Sequence, residues 1–148
     1  MILERTVYLE SSALLAWLFG EPVSGDVIRA SVNDAHRVVT SALTLVECHR
    51  AIHRAASTGQ LSHIEALALK QYLSELAGSW LVVSLDDPVL DRASGPFAGP
   101  ILRTPDALHV ASALELAREF GPIELISLDE RVRACAIACG LTVAPTPI

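Results

Sequence analysis

A chain of 148 residues, 51% hydrophobic and 19% charged, is long enough to bury a substantial core and too apolar to stay disordered. Its net charge of −6 excludes a protein that coats nucleic acid through bulk positive charge, although a local basic rim is compatible with it. Three cysteines, Cys48, Cys135 and Cys139, are too few for a disulfide framework and point to a reducing, cytoplasmic compartment.

Thr6-Val7-Tyr8-Leu9 is a β-rich run and predicts a first strand. It enters a polar corner, Glu10-Ser11-Ser12, where Ser11 or Ser12 is expected to cap a helix from Ala13 to about Phe19. Gly20-Glu21-Pro22 ends that helix and opens a second, with Pro22 in its first turn, running to about Val32. After an Asn33-Asp34 turn, His36 to Thr40 predicts the second strand. Ser41 is expected to cap a long helix from Ala42 to about Ser57, with an apolar stripe at Leu45, Cys48, Ile52, Ala55 and Ala56. Thr44, Glu47, Arg50 and Arg54 fall on a different face of it. Ser62 with Glu65 makes a capping box for the next helix, to about Ala77.

Trp80 to Val83 predicts the third strand, and Asp87-Pro88 opens a short helix through Ala93. A loop from Ser94 to Pro100 follows, too short to link domains. Thr104 as cap, Pro105 at the first position and Asp106 in the first turn start a helix to about Glu119. Glu124 to Leu128 predicts the fourth strand, Asp129 caps the last helix, and Gly140 stops it. Leu141 to Val143 is a short final strand, followed by a proline-containing tail. One domain over residues 1–148 is expected. No basic segment leads into an apolar run at the N-terminus, so no signal peptide is expected. No apolar stretch approaches the ~18 uninterrupted residues of a membrane span.

Strands alternate with helices throughout, and each strand is a continuous apolar run. That pattern predicts an α/β fold, a parallel sheet with helices on both faces. Sites in such folds lie beyond the carboxyl ends of the strands. Glu10 and Asp129 stand directly after strands, Asp106 opens a helix after a loop, and Glu47 lies about two turns into its helix. Singly, two of these acids have ordinary explanations. Asp129 reads as a helix N-cap, worth about 1 kcal/mol. Asp106 reads as a first-turn acid that gains roughly 0.3–1 kcal/mol from the helix dipole. Asp87 beside Pro88 is assigned a cap alone. A mid-helix Glu47 is commonly just solvated, and Glu10 has no evident structural task. Together they describe a different object. Clustered carboxylates repel one another unless a cation or a raised pKa relieves them. Mg²⁺ is satisfied by a few carboxylates and water. Such an ion supports phosphoryl-transfer chemistry, the chemistry of nucleases.

The stretch Tyr8-Leu9-Glu10-Ser11-Ser12-Ala13-Leu14-Leu15 resembles the opening signature of PIN-domain ribonucleases, in which the first acid is normally Asp. Thr40-Ser41-Ala42-Leu43-Thr44-Leu45-Val46-Glu47 resembles their second block. Leu102-Arg103-Thr104-Pro105-Asp106-Ala107-Leu108-His109 resembles the third, the most specific of the four, and Leu128-Asp129-Glu130-Arg131 the fourth. The blocks occur in family order between Tyr8 and Gly140, and the length is similar to that of VapC-type toxins of bacterial toxin–antitoxin pairs.

The resemblance implies a three-layer α/β/α sandwich around a five-stranded parallel sheet. It implies a catalytic set of Glu10, Glu47, Asp106 and Asp129, with Glu10, Asp106 and Asp129 holding Mg²⁺ or Mn²⁺ and Ser12 supporting them. The activity would be endonucleolytic cleavage of RNA. The partners would be the RNA substrate, a second copy in a homodimer, and a VapB-type antitoxin. The departure is Glu10, one methylene longer than Asp. Octahedral Mg²⁺ tolerates misplaced ligands poorly, so the alternative is a PIN-like module that binds RNA or antitoxin without efficient cleavage.

Arg103 is the expected phosphate contact or, equally, a salt-bridge partner of a groove acid, with Arg50 and Arg54 as further candidates for an RNA groove. His49 and His53 stand four apart but lack the His-Glu-x-x-His order of a helical zinc pair. His109, three residues after Asp106, is either a partner of the acids or a packing residue. Trp17, Phe19 and Trp80 are expected in the core or at a dimer contact.

Overall fold

The structure, a computed structural model, describes residues 4–146. The end of the proline-containing tail lies outside the described residues. Five strands, β1 (Thr6–Leu9), β2 (Arg37–Ser41), β3 (Leu81–Val83), β4 (Glu124–Ile126) and β5 (Thr142–Ala144), form a parallel sheet among the described residues. Their order is β3-β2-β1-β4-β5. The helices between them are α1 (Ser11–Leu18), α2 (Ser24–Asn33), α3 (Ala42–Ser57), α4 (His63–Gly78), α5 (Asp87–Ser94), α6 (Thr104–Phe120) and α7 (Glu130–Ala138).

Side chains alternate across a strand, and β1 uses this to serve two cores. Val7 and Leu9 join Leu14, Ile28, Ile52 and Leu73 from α1 to α4 on one face. Tyr8 joins Val110 and Leu116 of α6 and Val132 and Cys135 of α7 on the other. All three β1 side chains are fully buried. A buried aliphatic side chain contributes about 1.5–3 kcal/mol, so the middle strand, apolar on both faces, is the natural centre of the sheet. The edge is less well covered: Leu81 and Val82 of β3 remain exposed. Trp17 and Trp80 pack on the first core with ring centroids 6.0 Å apart.

The topology also fixes where a site can form. From β1 the chain first builds β2 and β3 on one side, then returns to build β4 and β5 on the other. The carboxyl ends of β1 and β4 therefore flank a reversal of strand order, the point where α/β sheets open a crevice. Pairing continues past β1, because the Glu10 amide donates to Ile126 O at 3.0 Å.

Several helix starts differ from the expectation. The cap of α1 is Glu10, whose carboxylate accepts the Ser12 amide, in place of Ser11 or Ser12. A carboxylate at this corner reaches the same donors as a serine hydroxyl would, and it leaves both serines inside the helix. Pro22 lies outside α2. Ser24 N donates to Pro22 O at 2.8 Å across Val23, whose φ of 65° and ψ of −64° make a tight γ-turn before the helix begins. Asp86 caps α5, so Asp87 is its first residue. Arg103 is the N-cap of α6 without a side-chain bond, which places Thr104 and Pro105 in the first two helical positions. Thr44 of α3 is buried with the apolar stripe, so that stripe is wider than its hydrophobic residues alone indicate. The capping box of Ser62 and Glu65 forms as expected.

The packing of α2 on α1 depends on Gly25. A Cβ there would stand 2.7 Å from the backbone oxygen of Ala16, which cannot move without unwinding α1. Gly25→Ala is therefore expected to destabilise the fold by about 1–3 kcal/mol through overpacking, read as a lower midpoint in chemical denaturation. An unchanged midpoint would mean that the two helices can separate freely.

Candidate active site

Glu10 leaves β1 at the crevice and is almost fully buried, with 4% exposure. A buried carboxylate needs donors, and three converge on it. Ser12 N donates to Oε1 at 3.1 Å. The hydroxyls of Ser12 and Ser127 both donate to Oε2, Ser127 at 2.7 Å. The two serines then accept from the opposite strand end: Leu128 N donates to Ser12 Oγ at 2.9 Å, and Asp129 N to Ser127 Oγ at 3.1 Å. Glu10 is thus a clamp between the ends of β1 and β4 as well as a candidate ligand. One lone pair on Oε1 stays available, since a carboxylate accepts about four bonds.

Asp129 caps α7, its Oδ1 accepting Val132 N at 2.9 Å, so its ordinary structural role is filled by one oxygen. Arg133 ties the same corner to the end of β5 by donating to Ser127 O at 2.9 Å and Pro145 O at 2.7 Å.

Glu47 reaches the crevice from the second turn of α3. Its Oε1 accepts the Ser11 hydroxyl at 2.6 Å and lies 2.5 Å from His109 Nε2. His109 is fully buried, with Nδ1 2.8 Å from Tyr8 Oη and Nε2 2.9 Å from Ser11 Oγ. His109 therefore bonds to the acid cluster through Glu47. Burial pushes the Glu47 carboxyl up, but hydrogen bonds from His109 and Ser11 hold it below its ordinary value. Burial also raises the Tyr8 phenol, with the nearby hydroxyls of Ser41, Thr44 and Ser112 opposing that rise.

Asp106 differs from the other three. Among the described residues its carboxylate makes no hydrogen bond. Burial raises its pKa, and the charges of Asp129, Glu10 and Glu47 push it further the same way, with His109 opposing. The four acids expected from the sequence thus lie within electrostatic reach of one carboxylate. Among the described residues no three His, Cys, Asp or Glu side chains are already arranged around a metal position. Their chemistry nevertheless suits a hard cation: four carboxylates, one of them raised by burial and by like charges that a bound cation would relieve.

Arg103 is exposed one turn before Asp106, and Arg50 and Arg54 are exposed on α3. His49 and His53 point away from the core on the exposed side of that helix. Two contributors had no signal as site residues. Ser127 reads in the sequence as the end of an apolar strand, and only the β1–β4 pairing brings it to Glu10. Tyr8 reads as a core aromatic, and its hydroxyl acquires a role only because α6 places His109 against it.

A PIN-domain family model matches residues 7–138. Ribonuclease VapC46 of Mycobacterium tuberculosis is 32% identical over 143 residues, covering 93% of this chain and 95% of that protein. Among solved structures, Mycobacterium tuberculosis VapC20, a sarcin–ricin loop cleaving toxin, superposes with a TM-score of 0.63 at 16% identity. That match covers 92% of this chain and 96% of the other. VapBC-5 from the same organism, a member of the VapBC family of toxin–antitoxin systems, gives a TM-score of 0.60 at 17% identity, over 95% and 98% of the two chains.

The opposite shifts of Asp106 and Glu47 give opposite pH dependences. The folded pKa of Asp106 is raised, so its charged form penalises the fold above the ordinary carboxylate range, and the penalty vanishes below it. The folded pKa of Glu47 is lowered, so its contribution is favourable above the ordinary range and is lost as pH falls through the folded value. In metal-free buffer at neutral pH, Asp106→Asn is expected to raise the melting temperature and Glu47→Gln to lower it. Both differences should shrink as the pH falls to 4 and below, about the ordinary carboxylate pKa. A destabilised Asp106→Asn would show that Asp106 is not under repulsion.

Proposed function

The chain belongs to the PIN-domain family, and from that premise we propose that it is a VapC-type ribonuclease toxin that cuts RNA endonucleolytically with a divalent cation. The observation that carries this reading is the Asp106 carboxylate, without a hydrogen-bond partner among the described residues and raised first by burial and then by the charges of Asp129, Glu10 and Glu47. The full-length similarity to ribonuclease VapC46 supports the activity.

Glu10, Asp106 and Asp129 would hold Mg²⁺ or Mn²⁺. When bound, the cation supplies Lewis-acid stabilisation of phosphoryl oxygens and an acidified water at neutral pH. Each side chain has its own task beside it. Glu10 offers the remaining lone pair of Oε1 while Ser12 and Ser127 prevent it from swinging. Asp129 offers the oxygen not used to cap α7. Glu47, held ionised, accepts a proton from the attacking water. Arg103, exposed beside Asp106, contacts the RNA phosphate, where a guanidinium binds two oxygens at once. The acids gather beyond the carboxyl ends of the interior strands β1 and β4, at the crevice where the strand order reverses.

The extra methylene of Glu10 fits this arrangement because the carboxylate reaches across to Ser127 on the neighbouring strand. A shorter Asp would sit nearer the β1 backbone. The site is thus a self-consistent variant in which the ligand and the strand clamp are one group.

The cognate partner is a VapB-type antitoxin, a proposal supported by the similarity in fold to VapBC-5. A homodimer would cover some of the exposed apolar side chains, among them Ile64 and Leu67 on α4 and Leu81 and Val82 on β3. The whole of residues 1–148 acts as one catalytic unit in this reading. Among the described residues no helix is long and apolar enough to cross a membrane.

The purified chain is expected to cleave RNA in Mg²⁺ or Mn²⁺, to stop on chelation, and to lose cleavage in Asp106→Asn. Cleavage unaffected by chelation, or an Asp106→Asn variant with the parental rate, would refute the assigned site. Glu10→Asp is expected to lower kcat, on the order of 10²-fold for a ligand displaced by about an ångström, because the shorter side chain gives up Ser127. A faster Glu10→Asp enzyme would mean that the clamp is secondary to ligand placement.

A further inference from the structure

We infer that Tyr8 and His109 form a buried positioning relay that seats the imidazole against Glu47 Oε1 and leaves the other oxygen, Oε2, for the reaction. The inference rests on the active-site reading above and assigns functions to two residues that touch neither substrate nor cation.

Proton accounting leads to it. Tyr8 and His109 are both fully buried, so their polar atoms need partners within the protein. The phenol carries one proton, and Tyr8 Oη lies 2.8 Å from His109 Nδ1. A neutral imidazole has one donor and one acceptor nitrogen. If the phenol donates to Nδ1, the ring proton sits on Nε2. That nitrogen is 2.5 Å from Glu47 Oε1, the natural acceptor. The Ser11 hydroxyl donates to the same oxygen at 2.6 Å. Two protons therefore converge on Oε1. Among the described residues Oε2 accepts none, and the Glu47 side chain is 32% exposed. One oxygen is anchored and the other faces water.

The anchor is as rigid as the sheet. Tyr8 is the middle of β1, paired with Val39 of β2 and Leu125 of β4. The relay runs from that strand through His109 on α6 to Glu47 on α3, so three elements far apart in sequence are registered at one carboxylate. Without the phenol, Nδ1 loses its donor. The Glu47 carboxylate, an acceptor only, still holds the proton on Nε2, so what is lost is the contact that seats the ring from the β1 side. Tyr8 and His109 are thus positioning residues that act through Glu47.

Two measurements on the full chain test this. Nitrogen-15 NMR at neutral pH should find His109 as the neutral ring protonated at Nε2, and Tyr8→Phe should shift the Nδ1 resonance as that nitrogen loses its hydrogen bond while Nε2 keeps its proton. A parent ring protonated at Nδ1, or at both nitrogens, overturns the relay whether or not RNA is cut. In RNA cleavage, His109→Leu should lower kcat on the order of 10- to 100-fold with KM little changed. His109→Gln, whose amide nitrogen stands near the Nε2 position, should recover most of that loss. In a Glu47→Ala background, His109→Leu should add no further loss. Equal losses for Gln and Leu, or full additivity with Glu47→Ala, would show a structural role and overturn the relay. If the parent chain cuts no RNA, the activity reading fails, and the NMR result alone decides the relay.

Discussion

The carboxylate of Glu10 accepts three donors from two strand ends, and the crevice depends on that convergence. Parallel strands β1 and β4 are separated by more than a hundred residues and meet only because the sheet reverses its order between them. Backbone pairing brings them side by side, but it does not fix the loops beyond their ends. Ser12 and Ser127 do so, each giving its proton to Glu10 and accepting an amide from the β4 corner. A single buried charge, satisfied by short polar side chains, thereby sets the distance between α1 and α7. The same group is offered as a cation ligand, so structure and chemistry share one residue.

Around this clamp the four acids divide by environment. Glu10 and Glu47 are each met by hydrogen-bond donors, Asp129 spends one oxygen on a helix cap, and Asp106 has no such partner among the described residues. The result is a carboxyl raised by its neighbours close to one held low by His109 and Ser11. Pairs of titratable groups pushed in opposite directions suit a division of labour; in the proposed reading, one group receives the cation and the other stays ionised to accept a proton. Repulsion of this kind is carried by the stability of the two cores on either face of β1.

Much of this was legible in the sequence. The continuous apolar strands alternating with helices gave the parallel sheet, because a strand buried on both faces has no polar alternation to show. The acids were legible because Glu10 and Asp129 follow strands directly. The capping of α1 by Glu10 was not, since a helix start with two serines in it offers an obvious and different cap. The γ-turn at Val23 was hidden by Pro22, which ordinarily marks a first helical turn. Ser127 and Tyr8 were illegible as site residues for a deeper reason: their roles are pairwise and cross 117 or 101 positions of sequence. No local pattern encodes such a pair. The resemblance to PIN-domain blocks named the four acids and assigned the support to Ser12 alone. The structure adds Ser11 at Glu47 and Ser127 at Glu10.

The central claim is that Glu10, Asp106 and Asp129 form one cation site with Glu47 beside it. Its most direct test is carbon-detected NMR of the side-chain carboxyls during titration with small amounts of paramagnetic Mn²⁺. Selective broadening of Glu10, Asp106 and Asp129 first, with Glu47 following, is the predicted result. Broadening that begins at surface acids such as Glu21, Asp26 or Asp34, or that spreads evenly over the chain, would contradict it.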